Sequence, residues 1–182
     1  MGVADFRLET ERLIVRDWRD DDLDPLQQVC SDPRVMATIG PVQDLNTTRV
    51  TLGWLRERAA TDGHTFWALE RKADGRMIGF CGVGRGTVPQ IERELEIGWR
   101  LAWDCWGRSY AREAAEASLG WIAANRPGAP VFAITSVGNT RSRGLMTRLG
   151  MHHCEGMDFD HPRLGPDSPL VRHVLYRKDD LP

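Results

Sequence analysis

From Leu13 onward the chain alternates short apolar runs with stretches whose apolar residues recur at helical spacing. Leu13 to Val15, bracketed by Arg12 and Arg16, predicts a strand, and the acidic Asp20 to Asp24 opens a helix reaching about Cys30. A second helix is predicted over Asn46 to Ala60. His64 to Arg71 and Arg76 to Val83 read as two strands joined through Asp74-Gly75, a pair suited to the positive backbone angles of a hairpin. Glu92 to Leu101 predicts another strand and Ala102 to Arg108 a loop. A helix over Tyr110 to Ala124, a strand over Val131 to Ser136 and a helix over Thr140 to Leu149 follow. Two closing strands flank a loop containing Pro162, Pro166 and Pro169. Hairpins mixed with strand-helix-strand units predict one α/β layered domain over residues 1–182, with a mixed sheet.

Two helix starts carry candidate chemistry. On the helix from Tyr110, the residues Ala111, Ala114, Ala115, Ser118, Leu119 and Ile122 share the face expected to be buried, while Arg112, Glu113, Glu116 and Gly120 share the other. The small residues let this helix approach a sheet closely. Its start, Gly107-Arg108-Ser109-Tyr110, leaves backbone N–H groups without helical partners, which makes it a candidate seat for phosphate oxygens. A plain helix start capped by Ser109 explains the same residues. In the helix from Thr140, the residues Ser142, Leu145, Met146 and Leu149 point inward and Gly150 ends the element. The Ser142 hydroxyl either bonds back to a carbonyl one turn earlier or serves a ligand. Asn139 reads equally as a simple cap, and Arg141, Arg143 and Arg148 as solvated charges.

The balance of 24 Lys and Arg against 26 Asp and Glu gives a net charge of -2, which excludes a polybasic nucleic-acid binder. Hydrophobic residues at 41% and charged residues at 27% belong to an ordinary globular chain rather than a disordered one. No apolar run approaches the roughly 20 residues needed to cross a bilayer. Met1 to Arg16 has no apolar centre of the secretion-signal kind, so a cytoplasmic location without membrane association is expected. Cys30, Cys81, Cys105 and Cys154 include no close pair and read as free thiols. If His152-His153-Cys154 forms a strand, only His152 and Cys154 share a face, two ligands where zinc usually takes four; no metal is expected.

The runs Thr10-Glu11-Arg12-Leu13-Ile14-Val15-Arg16, Ile78-Gly79, Glu96 to Leu101, Trp106 to Ala114, Asn139-Thr140-Arg141-Ser142 and Leu149-Gly150-Met151 occur in an order and at separations that resemble the GNAT superfamily of acetyl-CoA-dependent N-acetyltransferases. More narrowly, they are similar to the branch that includes the ribosomal-protein alanine acetyltransferases RimJ and RimL. The resemblance implies a GNAT-type mixed, mostly antiparallel sheet flanked by helices. It also implies that Trp99, Arg100 and Leu101 offer backbone groups to the pantetheine arm of acetyl-CoA. The main chain of Gly107, Arg108, Ser109, Tyr110 and Ala111 would then wrap the pyrophosphate, with Asn139 and Ser142 near the thioester. Three positions depart from the pattern. Asp104 stands where the family has glutamine or arginine, Ser109 replaces a second glycine or alanine, and Gly144 replaces a basic residue. The cation for the 3'-phosphate is therefore open between Arg108 and Arg143.

The implied reaction is attack of a neutral primary amine on the acetyl thioester, which needs a proton acceptor, an oxyanion stabiliser and a donor to the leaving sulfur. On the strand ending at Leu101, Glu94, Glu96, Gly98 and Arg100 share one face. Glu96 is the first candidate for the base, directly or through water, and Glu94 the second, the other reading being that this face meets solvent or binds structural arginines. Ser142 is the candidate donor to sulfur. The loop Phe159-Asp160-His161-Pro162 and Trp67 border the acceptor pocket in one reading; in the other His161 lies on a surface loop and Trp67 in the core. An α-amine with a pKa near 8 is about one-tenth neutral at pH 7, and a lysine near 10.4 roughly one part in a few thousand, which favours a protein or peptide N-terminus as acceptor. The rivals are a small-molecule amine such as a polyamine or aminoglycoside, which calls for a strongly acidic pocket, and a non-catalytic acyl-CoA-binding module. A homodimer is compatible with the sequence.

Overall fold

The computed structural model describes residues 6–181. The first five residues, part of the segment read above for a secretion signal, lie outside them. Among the described residues nine strands form one continuous sheet in the order β1-β2-β3-β4-β5-β6-β9-β7, with β8 also on β9. The strands are β1 (Arg7–Glu9), β2 (Leu13–Arg16), β3 (Phe66–Arg71), β4 (Met77–Arg85), β5 (Leu95–Leu101), β6 (Val131–Ser136), β7 (His152–His153), β8 (Phe159–Asp160) and β9 (Arg172–Lys178). The helices are α1 (Leu23–Ser31), α2 (Pro33–Met36), α3 (Leu45–Asp62), α4 (Tyr110–Asn125) and α5 (Thr140–Arg148). Every pairing is antiparallel except β5 with β6, which gives the mixed, mostly antiparallel sheet flanked by helices.

Alternation along β3 and β4 sorts side chains between two apolar layers. Trp67, Leu69, Ile78, Cys81 and Val83 pack with Ala114, Ala115, Leu119 and Ile122 of α4. Ala68, Met77 and Phe80 pack on the other face with Leu26 of α1 and Leu52 and Leu55 of α3. The small face of α4 is buried as its spacing predicts, apart from the half-buried Ala111. Ser118 is fully buried and donates to the Ala114 carbonyl at 2.8 Å, the back-bond that a hydroxyl inside a helix ordinarily makes. Trp67 is a core residue, stacked on Phe6 with ring centroids 4.0 Å apart.

Several boundaries differ from the pattern-based reading. β1 escapes it because Leu8 is the only apolar residue between Arg7 and Glu9. The hairpin after β3 contains Gly75 at φ +68°, as expected for that dipeptide, but four residues follow Arg71 before Arg76 pairs back, Arg71 N–H donating to the Arg76 carbonyl at 2.9 Å. β5 begins at Leu95 because Pro89–Ile91 form a short helix and Arg93 adopts a left-handed conformation at φ +67°. The closing region has three strands, not two. Glu113, read on the outer face of α4, is instead gripped from β2's approach. Thr10 Oγ1 and the Arg12 backbone N–H donate to Glu113 Oε1 at 2.5 and 2.8 Å, and Arg12 Nε donates to Oε2 at 2.7 Å.

Candidate active site

The site begins with a defect in the sheet. β5 is paired with β4 along its whole length, from Leu95 opposite Arg85 to Leu101 opposite Gly79. Its parallel pairing with β6 holds only at Leu95 with Val131 and Glu96 with Phe132. β6 stays with β9 as far as Ser136 opposite His173, so the two strands part after Glu96 and a wedge opens between them. One edge of β5 from Ile97 to Leu101 therefore has no strand partner. Trp106 Nε1 donates to the Leu101 carbonyl at 2.9 Å, which satisfies one group there. The remaining groups along this edge have no strand to pair with among the described residues.

A cleft of about 750 Å³ opens from this wedge between α4 and α5. On the α4 side, Gly107 lies at φ +73° and Ser109 at φ +63°. Both leave the chain in the left-handed region just before the helix. The Ser109 side chain makes no cap bond, against the plain-cap alternative. The first bond into α4 runs from Glu113 N–H to the Ser109 carbonyl at 3.0 Å, leaving the N–H groups of Tyr110, Ala111 and Arg112 without a helical acceptor. Ser109, Tyr110, Ala111 and Arg112 line the cleft. Arg12 fixes this turn from behind, its Nη1 donating to the Arg108 carbonyl at 3.1 Å.

On the α5 side, Asn139 caps the helix, its Oδ1 accepting from Ser142 N–H at 3.2 Å. The Ser142 hydroxyl has no hydrogen-bond partner among the described residues, unlike Ser118, and Ser142 faces the cleft. Arg141, Gly144 and Arg148 line the same wall. A Cβ built on Gly144 would meet the guanidinium of Arg148 at 3.5 Å, so Arg148, one turn later, lies across the space left by the missing side chain. Arg141 sits over Trp103 and Trp106, 5.4 and 5.0 Å from their ring centroids. Of the two arginines singled out for the 3'-phosphate, neither lines the cleft. Arg108 is exposed, and Arg143 donates from Nη1 to the Val137 carbonyl at 3.1 Å and leans on Tyr176. Arg112, read on the outer face of α4, and Arg148, read as a solvated charge, both line the cleft, and the glycine at 144 with an arginine four residues on was the available signal for the second. Asp104 turns out of the cleft and pairs with Arg76, which holds its carboxyl below the usual carboxylate range.

A second cavity of about 290 Å³ meets the first at Trp99, Arg100, Asn139 and Ser142. Glu96 lies in its wall, and burial pushes the carboxyl up to about 7, with Arg163 drawing it partly back. Glu94 is exposed in the turn before β5, away from both cavities. His161 and His173 also line this cavity, with ring centroids 4.8 Å apart. Burial lowers the pKa of both rings, so the neutral forms are favoured. The proline-rich loop thus brings His161 into the pocket rather than leaving it on the surface. His173, from β9, was not legible, because nothing in the sequence says that β9 inserts beside β6. His152 and His153 stay apart from this site, the latter's ring bonded to Asp158 at 2.7 Å. Among the described residues no group of three metal-ligating side chains converges.

A splayed parallel pair inside an antiparallel sheet thus lies beside an open helix N-terminus, with a carboxyl in the adjoining cavity. The comparisons give the class: residues 12–152 match the Acetyltransferase (GNAT) domain family, and the chain belongs to that family of acyltransferases. It is similar to the uncharacterized protein YkkB of Bacillus subtilis (strain 168), 32% identical over 154 residues that cover 82% of this chain and 87% of the relative. Among solved structures, an acetyltransferase from Agrobacterium tumefaciens superposes with a TM-score of 0.77 at 25% identity, covering 99% of this chain and 98% of that one. The ribosomal L7/L12 α-N-protein acetyltransferase RimL in complex with coenzyme A has a TM-score of 0.76 at 13% identity, covering 96% and 98%. At that identity the likeness is one of fold.

Proposed function

We propose that the chain is a single-domain, cytoplasmic N-acetyltransferase that moves the acetyl group of acetyl-CoA to the α-amine of a protein or peptide, in the manner of the RimJ and RimL branch. The observation that carries this reading is the meeting of two cavities at Asn139 and Ser142, one walled by free helix N–H groups and arginines, the other by Glu96. The unpaired edge of β5 suits the amides of a pantetheine arm, and the N–H groups of Tyr110 to Arg112 suit its phosphates. Arg148 is the cation best placed for a further phosphate.

The amine nitrogen forms a bond to the thioester carbon while the carbon–sulfur bond breaks. Glu96, ionised and reached directly or through one water, takes the amine proton, and its pKa near 7 matches that task at neutral pH. Ser142 donates a hydrogen bond or proton to the departing sulfur, its hydroxyl being uncommitted to the helix. Burial lowers the pKa of His161 and His173 and so favours their neutral forms, which suits an incoming amine better than two extra positive charges would. The test is acetyl transfer measured by thiol release with peptide N-termini, polyamines and aminoglycosides as acceptors. Turnover of peptides above the other two classes is the expected result, and turnover of none of the three would overturn the reading.

A further inference from the structure

Arg100, half-buried with its Nε fully enclosed, stands out among the cations when set beside the buried Arg16. Arg16, 5% exposed, is matched by two acids: its Nη1 and Nη2 donate to Asp22 at 2.8 and 2.9 Å, and its Nε donates to Glu70 at 2.7 Å. Arg100 has no carboxylate partner among the described residues. Its Nε is buried without any acceptor, and its one hydrogen bond runs from Nη1 to the Cys30 thiol at 3.2 Å. The face of Phe80 lies 5.2 Å below the guanidinium. A thiol is a weak acceptor and an aromatic face a partial substitute for a counter-charge. A guanidinium left so poorly matched beside a cavity is a ready seat for an anion.

The anion does not have to be the cofactor. Arg112, Arg141 and Arg148 already line the cleft between α4 and α5. Arg100 shares the face of β5 that carries Glu96, four residues back and about 13 Å along the strand, and both line the smaller cavity. Among the described residues Glu96 is the only acidic side chain lining it, and its raised pKa weakens even that charge. Such a pocket is poorly suited to a polycation.

We propose that Arg100 binds a carboxylate carried by the acetyl acceptor itself, so that the preferred acceptors are amines with an acidic group on the same molecule. This rests on the acetyl-transfer reading and narrows its substrate class. The carboxylate can come from an acidic side chain close to a peptide N-terminus or from a free amino acid, and the spacing of Glu96 and Arg100 favours an acid several bonds from the amine.

The experiment uses matched acceptors. One arm compares kcat/KM for peptides that differ only in Glu or Gln at the second position; the other compares free amino acids with their amides. The expected result is a preference of about tenfold or more for the acid in at least one arm, the size of a charge-assisted hydrogen bond. Arg100→Gln should bring the acid-to-amide ratio close to one, Arg100→Lys should keep part of it, and the comparison between variants cancels any difference in amine pKa. A ratio near one in the wild type, a ratio unchanged in Arg100→Gln, or an effect confined to the KM for acetyl-CoA would each overturn the proposal. Calorimetry of the N-acetylated acid and amide products with coenzyme A present gives a second readout independent of turnover, and equal or absent binding there also overturns it. Failure of coenzyme A to stabilise the protein would instead remove the acetyl-transfer reading itself.

Discussion

Arg76 grips Asp104 through its guanidinium, with Nη2 donating to Oδ1 at 3.2 Å, and so holds an acid out of the cleft that the helix N-terminus of α4 opens. The hairpin between β3 and β4 thereby keeps that acid away from the proposed phosphate seat. Arg76→Ala should release the carboxylate and weaken acetyl-CoA binding several-fold at low salt, while costing no more than about 1 kcal/mol of stability for so exposed a pair. The double variant Arg76→Ala with Asp104→Asn should restore affinity. Calorimetric titration at two salt concentrations measures both, and an unchanged affinity in the single variant would show that Asp104 exerts no field on the site.

The turn before α4 separates backbone from side-chain recognition. Ser109→Ala should leave cofactor affinity nearly unchanged, because the side chain caps nothing. Ser109→Gly should stabilise the fold by a few tenths to about 1 kcal/mol, since Ser109 sits at φ +63°. A Cβ on Gly107 would meet nothing within 4 Å, so Gly107→Val acts through strain at φ +73° rather than by collision. Thermal unfolding with and without coenzyme A distinguishes these effects, and equal, large affinity losses from Ser109→Ala and Gly107→Val would show that the serine hydroxyl is the donor.

For the 3'-phosphate, Arg148→Ala should abolish the difference between coenzyme A and its dephospho form, whereas Arg108→Ala and Arg143→Ala should preserve it. In the wild type, ligand at about a hundred times its dissociation constant adds roughly 2.7 kcal/mol to stability. Shifts in melting temperature report the contrast directly.

The Glu96 carboxyl fixes the acid side of the rate profile. With its pKa near 7, kcat/KM should fall as pH drops below about 7. In Glu96→Gln the rate should fall about a hundredfold at neutral pH and recover toward higher pH along the acceptor's own titration, near 8 for an α-amine. The stability sign runs the other way. A carboxyl whose folded pKa lies above its unfolded value favours the fold at low pH and loses that contribution as pH rises toward 7, so wild type should lose stability relative to Glu96→Gln between about pH 4.5 and 7. Parallel rate and denaturation profiles check both signs.

Much of this arrangement is written locally. The small face of α4, the Gly107 turn and the Asn139 cap follow from neighbouring residues, and strand alternation placed Glu96 and Arg100 together. What local pattern does not carry is which strand lies beside which. His173 enters the smaller cavity because β9 inserts between β6 and β7, and Glu113 turns inward because Thr10 and Arg12 approach it from about a hundred residues away. The sites of Arg108 and Arg143 were ambiguous for a related reason: a helix's spacing says which residues share a face but not which neighbour that face meets.

The parting of β5 from β6 also bears on how long the protein lasts. Backbone groups from Ile97 to Leu101 that lack a strand partner are a seam along which the sheet can open, and the proposed pantetheine arm would close it. Starved of acetyl-CoA, the molecule should exchange its amide hydrogens fastest along that seam and be clipped first by proteases that need local opening. The cosubstrate would then act as the strand the fold omits, and the protein's turnover in a cell would follow the supply of activated acetyl groups.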